Sequence, residues 1–309
     1  MIEKEKDNFR AGFVAILGRP NVGKSTLANA LLGQKIAAVS PRPQTTRDRQ
    51  MIILTDDEAQ IILMDMPGMH NPLHKLGYAM NAIVEEVISD ADIVLWLVDA
   101  SQPPQAEDIL IANYLHAVKD LTPLILCLNK VDLLLVKEKQ TRADSFRNLY
   151  PEAADAIFIS ARELIGLDAL LKKIKELLPI SPPYYPEDQI TDYQERQIAA
   201  DLIREAALMV LQQEVPHAIA VRVDEFKERE NGTAYIAATI FVEKDSQKGI
   251  VIGKGGEMLK KIGSMARKSI EEMSGRPVFL ELRVKVSKNW RNNENFLQHI
   301  GYKVVGKKW

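Results

Sequence analysis

Short apolar runs alternate with amphipathic helical patterns between Phe9 and Pro179, and this alternation constrains the fold more than any other feature. The runs read FVAILG, IILMD, IVLWLVDA, LILCLNKVD and AIFIS. Apolar runs of this length are typical of strands that are buried on both faces. Buried strands that alternate with helices form a mostly parallel sheet with helices on both faces. We therefore predict an α/β domain over residues 1–179.

A proline-rich stretch, ISPPYYPED, follows this pattern and predicts a linker over residues 180–190, because proline cannot continue a helix or a central strand. After it the sequence indicates a helix, two strands with an Asn231-Gly232 turn between them, a helical stretch around Gly253, and a third strand, VFLELRVKV. We predict a small α+β domain over residues 191–309, with antiparallel strands and helices on one side.

The composition is that of a soluble globular protein, with 46% hydrophobic and 27% charged residues in 309. The charged N-terminus lacks the apolar core of a secretory signal, and no run approaches the roughly 18 apolar residues of a membrane span, so we expect a cytoplasmic location. The single cysteine, Cys127, is expected in the core. Residues 244–309 hold 15 Lys and Arg against 6 Asp and Glu, which suits a polyanionic partner or, equally, a solvated charged face.

The stretch GRPNVGKS matches the phosphate-loop pattern G-x-x-x-x-G-K-S and lies between the apolar run FVAIL and a helical pattern. In this setting, backbone N–H groups and a helix N-terminus bind phosphate. Lys24 reaches the β- and γ-phosphates and Ser25 ligates Mg²⁺. The predicted nucleotide contacts in this region are Gly18, Arg19, Pro20, Asn21, Val22, Gly23, Lys24, Ser25 and Thr26.

Two further segments predict contacts to the metal and the γ-phosphate. Asp65 ends the run IILMD and is placed to hold Mg²⁺ through a water, while Gly68 offers an unobstructed backbone N–H to the γ-phosphate. Between them and the phosphate loop lies QKIAAVSPRPQTTRDR, a loop that can supply a hydroxyl to Mg²⁺ and close over the γ-phosphate. Thr46 is the preferred hydroxyl and Thr45 stays open; a plain surface loop is the alternative.

The segment NKVD, residues 129–132, follows the run LILCL and predicts recognition of guanine. Asp132 can accept hydrogen bonds from the N1–H and 2-amino groups of guanine, a donor pair that adenine lacks. Asn129 can bond the base edge, and the stem of Lys130 can pack over the ring. Downstream, ISAR ends another buried strand, where the Ala161 N–H can meet the guanine carbonyl. The residues predicted to contact nucleotide there are Ser160, Ala161 and Arg162.

The second domain contains IVIGKGGEMLKKIG, a G-x-x-G loop that enters a basic helix. Glycines let the backbone approach a sugar-phosphate strand, and lysines supply charge to the phosphates. A helix-capping loop is the alternative for such a motif taken alone. The surrounding order of helix, two strands, G-x-x-G, helix and strand resembles a type II KH domain. The predicted RNA-binding residues are Ile252, Gly253, Lys254, Gly255, Gly256, Lys260, Lys261, Lys285, Lys288 and Arg291.

The phosphate loop, threonine loop, DMPG, NKVD and SAR occur in an order that resembles the translation-factor-like class of small GTPases. With the C-terminal G-x-x-G domain, essentially the whole chain resembles the Era family of GTPases. This resemblance implies GTP hydrolysis, binding of the KH domain to the 3′ end of small-subunit rRNA (16S) during 30S maturation, and stronger RNA binding with GTP. It also implies a monomer that can associate peripherally with the inner membrane.

The sequence departs from that family at Met66, where threonine is usual; Asp65 and Gly68 keep the metal and phosphate roles. In many GTPases a glutamine after this glycine orients the attacking water, whereas Met69 offers no such group. Asn21 can help to ligate K⁺ beside the phosphates, or it only stabilises the loop turn. His70 is a second candidate for positioning the water, against a surface histidine. We therefore expect slow hydrolysis, with Asn21, Lys24, Thr46, Gly68 and His70 as the catalytic candidates.

The main alternative function is a membrane-associated regulatory GTPase in cell division or transport, whose basic domain would meet anionic lipid. The G-x-x-G motif within a folded domain favours RNA, because a lipid-binding amphipathic helix does not need it.

Overall fold

The computed structural model describes residues 8–42, 45–69, 72, 74–118 and 122–301. The chain divides into two compact units. The first comprises Met1–Gly33, Asp48–Asn71 and Ile83–Asp192, and the second comprises Gln34–Arg47, Pro72–Ala82 and Tyr193–Trp309. The second unit therefore includes the threonine loop and the segment after DMPGMH, in addition to the C-terminal region.

A single sheet forms the centre of the first unit. Within the described residues its strands are β1 (Arg10–Leu17), β2 (Gln50–Thr55), β3 (Ala59–Asp65), β4 (Ile93–Asp99), β5 (Leu124–Asn129) and β6 (Asp155–Phe158). They lie in the order β2-β3-β1-β4-β5-β6. Only β2 is antiparallel to its neighbour, and the other pairs are parallel, as predicted. The carboxyl ends of the parallel strands therefore meet at one edge, where open α/β sheets bind ligands.

The helices of this part of the chain are α1 (Lys24–Leu32), α2 (Lys75–Ser89), α3 (Ala106–Ala117), α4 (Lys139–Arg147) and α5 (Leu167–Leu177). Of α2, only the part from Ile83 onward belongs to the first unit. Every residue of β3, β4 and β5 is buried, so both faces of the sheet are covered. Cys127 lies on β5 in the core, as predicted, and burial raises the pKa of its thiol. No helix in the described ranges is long and apolar enough to cross a membrane.

The C-terminal region of the second unit contains α6 (Glu195–Val210), β7 (Ala220–Glu228), β8 (Ala234–Val242), α7 (Asp245–Ile252), α8 (Glu257–Ser274), β9 (Val278–Val286) and α9 (Glu294–His299). The strand order is β7-β8-β9. β7 and β8 form the predicted antiparallel hairpin, but β9 is parallel to β8, so the prediction of antiparallel strands is wrong for β9. The physical reason is that α7 and α8 form a crossover, which returns the chain to the end where β8 began.

The predicted linker, residues 180–190, belongs to the first unit and is hydrogen-bonded to its strands and N-terminal segment. Ser181 N donates to Phe9 O at 3.1 Å, and the side-chain oxygen of Gln60 accepts from Tyr184 N at 2.7 Å and Tyr185 N at 2.9 Å. Ile190 O accepts from Ile53 N at 2.9 Å. These bonds satisfy backbone groups of a segment whose prolines prevent regular structure.

Candidate nucleotide and RNA sites

The phosphate loop connects the end of β1 to the start of α1, the strand-to-helix setting predicted for it. Gly23 has φ 106°, and a Cβ there would lie 2.5 Å from Asn129 Nδ2. A Cβ on Gly18 would lie 2.4 Å from Leu97 O. Both positions require glycine, because the loop packs directly against the ends of β4 and β5.

Lys24 points back into its own loop. The side chain is only 7% exposed, and Nζ donates to Gly18 O at 3.1 Å and Arg19 O at 3.2 Å. Burial lowers the pKa of Lys24 to about 8; Asp65 opposes this effect and Arg19 adds to it. A polyphosphate in the loop would favour the charged lysine, because its negative charge offsets the cost of burial.

Ser25 and Asp65 bring two oxygen groups together below the loop. The β1–β3 register places Ile16 opposite Asp65, and Ser25 Oγ donates to Asp65 Oδ2 at 2.7 Å. Asp65 is completely buried. A hydroxyl beside a buried carboxylate matches the oxygen ligands that Mg²⁺ takes when phosphate supplies further ones.

The segment after Asp65 lies on the phosphate loop and in the core. A Cβ on Gly68 would come within 2.6 Å of Pro20 N, so only glycine allows this approach. Met66 and Met69 belong to the hydrophobic core of the first unit, and Met69 is only 3% exposed. Met69 therefore acts as a core residue. His70 lies outside the described residues.

The threonine loop is bonded within itself. The hydroxyl of Thr45, which is buried, donates to Arg42 O at 2.8 Å and lies 2.7 Å from Ser40 Oγ. These contacts hold the Thr45 hydroxyl within its own loop, and Thr46 next to it is half-buried.

Asn129 ties the base-recognition segments to the phosphate loop. Its Nδ2 donates to Val22 O at 2.7 Å, and its Oδ1 accepts from Ala161 N at 3.0 Å. Both ends of the Asn129 amide are thus hydrogen-bonded to neighbouring loops in this structure. The Ala161 N–H, predicted to meet the guanine carbonyl, donates to Asn129 here. Asp132 is exposed, and Lys130 has φ 64°.

The other residues of the ISAR segment differ in burial. Ser160 is buried, and its Oγ accepts from Glu163 N at 3.1 Å. The side chain of Arg162 is 84% exposed and lies 3.5 Å from Glu163, so the structure gives it no defined place at the site.

Two aspartates beside this site were not predicted. Asp99 ends β4, and its Oδ2 lies 2.7 Å from Lys130 Nζ; Asp108 Oδ2 accepts from Arg19 Nε at 3.2 Å. The available signal was position, because Asp99 ends the apolar run IVLWLVD at the same sheet edge as Asp65. Asp108 carries no comparable signal, since an acidic residue in the first turn of a helix is expected in any case.

The G-x-x-G motif forms the turn between α7 and α8. Gly253, Gly255 and Gly256 have φ of 75°, 61° and 82°, a region that other residues rarely adopt. A Cβ on Gly253 would also lie 2.7 Å from Met258 Cβ. The lysines in and after the loop, Lys254, Lys260 and Lys261, are exposed, and Ile252 is half-buried.

The basic residues predicted at the end of β9 are not equivalent. Lys285 and Lys288 are exposed, whereas Arg291 forms an ion pair with Glu243 at 2.5 Å. The structure thus leaves the two lysines as the better candidates for phosphate contacts, because the charge of Arg291 is already matched.

Two segments of the second unit, 34–47 and 72–82, contact the C-terminal region of that unit. Lys35 Nζ lies 2.8 Å from Glu205 Oε1 on α6, and Arg47 Nη1 donates to Ile219 O at 2.9 Å. At the start of α2, Leu76 and Met80 share a hydrophobic cluster with Trp290. Both segments therefore pack with the G-x-x-G region in one compact body.

Comparison with known proteins supports a nucleotide site in the N-terminal region and an RNA site in the C-terminal region. A family model described as "50S ribosome-binding GTPase" matches residues 13–130, and a KH-domain model matches residues 214–291. The protein is thus a P-loop GTPase that carries a KH domain. It is 47% identical over 297 residues to GTPase Era of Ruminiclostridium cellulolyticum, an alignment that spans 96% of this chain and 99% of the relative. The chain belongs to the Era family of GTPases.

Two solved structures agree along nearly the full length. One is Era in complex with MgGDPNP and nucleotides 1506–1542 of 16S ribosomal RNA, and the other is a variant of Aquifex aeolicus Era bound to GDP·AlF4⁻. Each has a TM-score of 0.90 and 38% identity, and covers 95% of this chain and 99% of the other.

Proposed function

We propose that this GTPase is a GTP-controlled switch whose KH domain binds the 3′ end of small-subunit rRNA and assists maturation of the pre-30S particle. The Era structure that contains a 16S rRNA fragment supports this partner, because the likeness extends over both units. The family description that names the 50S subunit covers residues 13–130 only, so it carries less weight for the RNA partner than the full-length relative. We take residues 1–179 as the GTPase domain, 180–190 as the linker and 191–309 as the KH domain.

The observation that carries the proposal is that the second unit includes two segments from outside the C-terminal region. The threonine loop 34–47 and the segment 72–82 flank the proposed γ-phosphate ligands along the chain, and both belong to the compact unit that contains the G-x-x-G loop. Their contacts include the ion pair between Lys35 and Glu205 and the hydrogen bond from Arg47 to Ile219 O. A change in these segments on hydrolysis would therefore act on the RNA-binding unit itself.

Within the nucleotide site, we assign the metal to Ser25, Asp65 and Thr46, the β- and γ-phosphates to Lys24, and the γ-phosphate to the Gly68 N–H. Mg²⁺, when bound, neutralises charge on the phosphates. Asp132 selects guanine. Asn129 holds the phosphate loop and the ISAR segment in place through the hydrogen bonds to Val22 and Ala161.

The burial of Met69 supports slow intrinsic hydrolysis, because its side chain packs in the core and cannot orient water. Asn21 adopts φ 65°, a conformation that asparagine tolerates better than most residues, which supports a role in the loop turn beside the proposed role in binding K⁺. We retain K⁺ as a cofactor proposal with a direct test. GTP turnover is expected to be faster in K⁺ than in Na⁺ at equal ionic strength, and identical rates would remove K⁺ from the scheme.

The central experiment separates RNA binding from nucleotide binding. Replacing Lys254 and Gly255 together with aspartate places two negative charges on the exposed loop and is expected to weaken binding of labelled 16S 3′-end RNA by at least about 100-fold. Affinity for GTP should stay within about twofold of the native value. Lys268→Asp is the matched control, because Lys268 is an exposed lysine of α8 well beyond the loop. RNA affinity that persists in the double variant would refute the role of the KH domain.

We further propose that the protein works as a monomer in the cytoplasm and makes peripheral contact with the inner membrane. The support is the excess of basic residues over residues 244–309 together with the family resemblance. Sedimentation with vesicles that contain anionic lipid tests the contact. Binding that survives the Lys254 and Gly255 substitutions would show that lipid and RNA use different residues.

A further inference from the structure

The two halves of the nucleotide site come from strands that do not touch. The phosphate loop follows β1 and the NKVD segment follows β5, and β4 lies between them in the sheet. Two strand spacings separate β1 from β5, which is about 10 Å. One direct link between the halves is the hydrogen bond from Asn129 to Val22 O, and a second one can be made at the end of β4, between the two loops.

Asp99 occupies this position. It is the last residue of β4, and the β4–β5 register places it opposite Asn129. Its side chain is 4% exposed. Its Oδ1 accepts from Ser101 N at 3.1 Å and Ser101 Oγ at 2.6 Å, and Oδ2 accepts from Gln102 Nε2 at 3.0 Å. The carboxylate is therefore fixed before any ligand arrives.

The same carboxylate faces one cation from each half of the site. Lys130 Nζ, from NKVD, lies 2.7 Å from Asp99 Oδ2. Arg19 Nη2, from the phosphate loop, lies 3.8 Å from the same oxygen and has no hydrogen-bond partner among the described residues. On its other side the Arg19 guanidinium is held by Asp108, which is fully buried at the start of α3. Burial raises the pKa of Asp108, whereas at Asp99 the bonds from Lys130, Ser101 and Gln102 outweigh burial and lower the pKa.

We propose that Asp99 is a positioning residue for nucleotide binding, which joins the base-recognition lysine to the phosphate loop through Lys130 and Arg19. The ion pair fixes the Lys130 ammonium away from the base, so that the aliphatic stem is presented to the guanine ring. Asp108 completes the link because it holds the guanidinium of Arg19 toward β4. The inference rests on the assignment of both loops to the nucleotide.

A double-mutant cycle tests this role. Asp99→Asn keeps the shape of the side chain and is expected to raise the Kd for GDP about 10-fold, as for loss of a hydrogen bond to a charged group. The KM for GTP should rise similarly, with kcat within about twofold, because neither Asp99 nor Lys130 is among the residues assigned to the metal or the γ-phosphate. In the Lys130→Met background, Asp99→Asn should change the Kd less than about twofold, since the two residues act together. If the losses in affinity of the two single variants multiply in the double variant, the role of Asp99 is purely structural and the proposal is wrong.

Asp56→Asn is the matched control. Asp56 also forms a 2.7 Å ion pair with a lysine, Lys175, in the same unit, and hydrogen bonds and that lysine lower its pKa against the effect of burial. It lies at the turn between β2 and β3, at the opposite end of β3 from Asp65. Its substitution is expected to leave the Kd for GDP within about twofold of the native value, and a 10-fold loss there would remove the specificity of the Asp99 result.

A second pair of variants decides the matter if Asp99→Asn fails to fold. Lys130→Arg keeps a cation for Asp99 and should bind GDP within about threefold of the native chain, whereas Lys130→Met should bind about 10-fold more weakly. Equal losses in the two variants would overturn the proposal. A native chain that does not bind GDP would refute the assignment of the loops, whereas native binding with unaffected variants refutes only the positioning role.

Discussion

Replacement of Arg47 by methionine is predicted to uncouple RNA binding from the bound nucleotide. Arg47 is adjacent to Thr46, the proposed metal ligand, and is 3% exposed. Its Nη1 donates to Ile219 O at 2.9 Å, and its guanidinium lies 5.6 Å from the ring centre of Trp290. Trp290 is itself fixed, because it is fully buried and donates from Nε1 to Ala218 O at 2.8 Å.

The size of the effect follows from these contacts. A hydrogen bond from a charged group contributes about 1.5–3 kcal/mol, and a cation–π contact contributes about 0.5–2 kcal/mol. Methionine recovers part of the packing, and the pair of Lys35 with Glu205 still holds the start of the loop. We therefore expect a net loss of about 2 kcal/mol, which corresponds to about 30-fold.

The assay compares the affinity of fluorescently labelled 16S 3′-end RNA in the presence of a non-hydrolysable GTP analogue and of GDP. In the native protein the analogue should give the tighter complex. In Arg47→Met the ratio of the two affinities should fall toward one, by as much as about 30-fold. Thermal unfolding with and without nucleotide would show that the variant folds and binds GTP.

Arg222→Met is the control for this experiment. Arg222 lies 5.4 Å from the Phe241 ring centre in the same unit, so it matches the cation–π contact of Arg47, but it belongs to β7 and not to the threonine loop. Its loss should leave the ratio unchanged. An unaltered ratio in Arg47→Met, with normal nucleotide binding, would refute the idea that this loop carries the nucleotide state to the RNA-binding unit.

Three further predictions concern the nucleotide site. Burial lowers the pKa of Lys24 to about 8, so the nucleotide-free protein loses this positive charge as the pH rises through 8. GTP affinity, measured by fluorescence titration, should then fall by up to about tenfold per pH unit. The Lys24→Met variant should show no such dependence on pH. Met69→Gln is expected to lower the free energy of unfolding by about 1–3 kcal/mol, measured in urea, because it buries an amide in the core; a GTP turnover that rises severalfold would contradict this placement. Asp65→Asn removes the anionic partner of Ser25 and should raise the Mg²⁺ concentration needed for half-maximal GTP binding by at least about tenfold, whereas an unchanged Mg²⁺ dependence would exclude Asp65 from the metal site.

The elements predicted best were those whose own residues carry the signal. The third strand of the second domain, VFLELRVKV, is β9 without any change of boundary, and the phosphate loop lies between a strand and a helix as its pattern requires. By contrast, β2 (QMIILT) was not singled out, because its apolar run is short and it lies at the edge of the sheet. The parallel pairing of β9 also escaped prediction, since strand direction depends on the crossover between strands.

At the site, sequence patterns predicted the residues that contact the ligand. They did not predict the residues that hold those contact residues in position. Asp99 and Asp108 hold Arg19 and Lys130, so their roles depend on which strand ends lie side by side. The amide of Asn129, expected at the base edge, is bonded to two loops instead. The grouping of 34–47 with the C-terminal region was not predictable either, because it depends on contacts such as that of Lys35 with Glu205, 170 positions apart.

The burial of Met69 has a consequence for how such a chain can change over generations. In a GTPase whose residue after the DxxG glycine points to solvent, one substitution can alter the hydrolysis rate with little effect on folding. Here Met69 lies in the core with Met66, so a polar replacement aimed at faster turnover would first weaken the fold. Polar variants at this position would thus tend to be lost as unstable proteins before any effect on GTP turnover could be inherited.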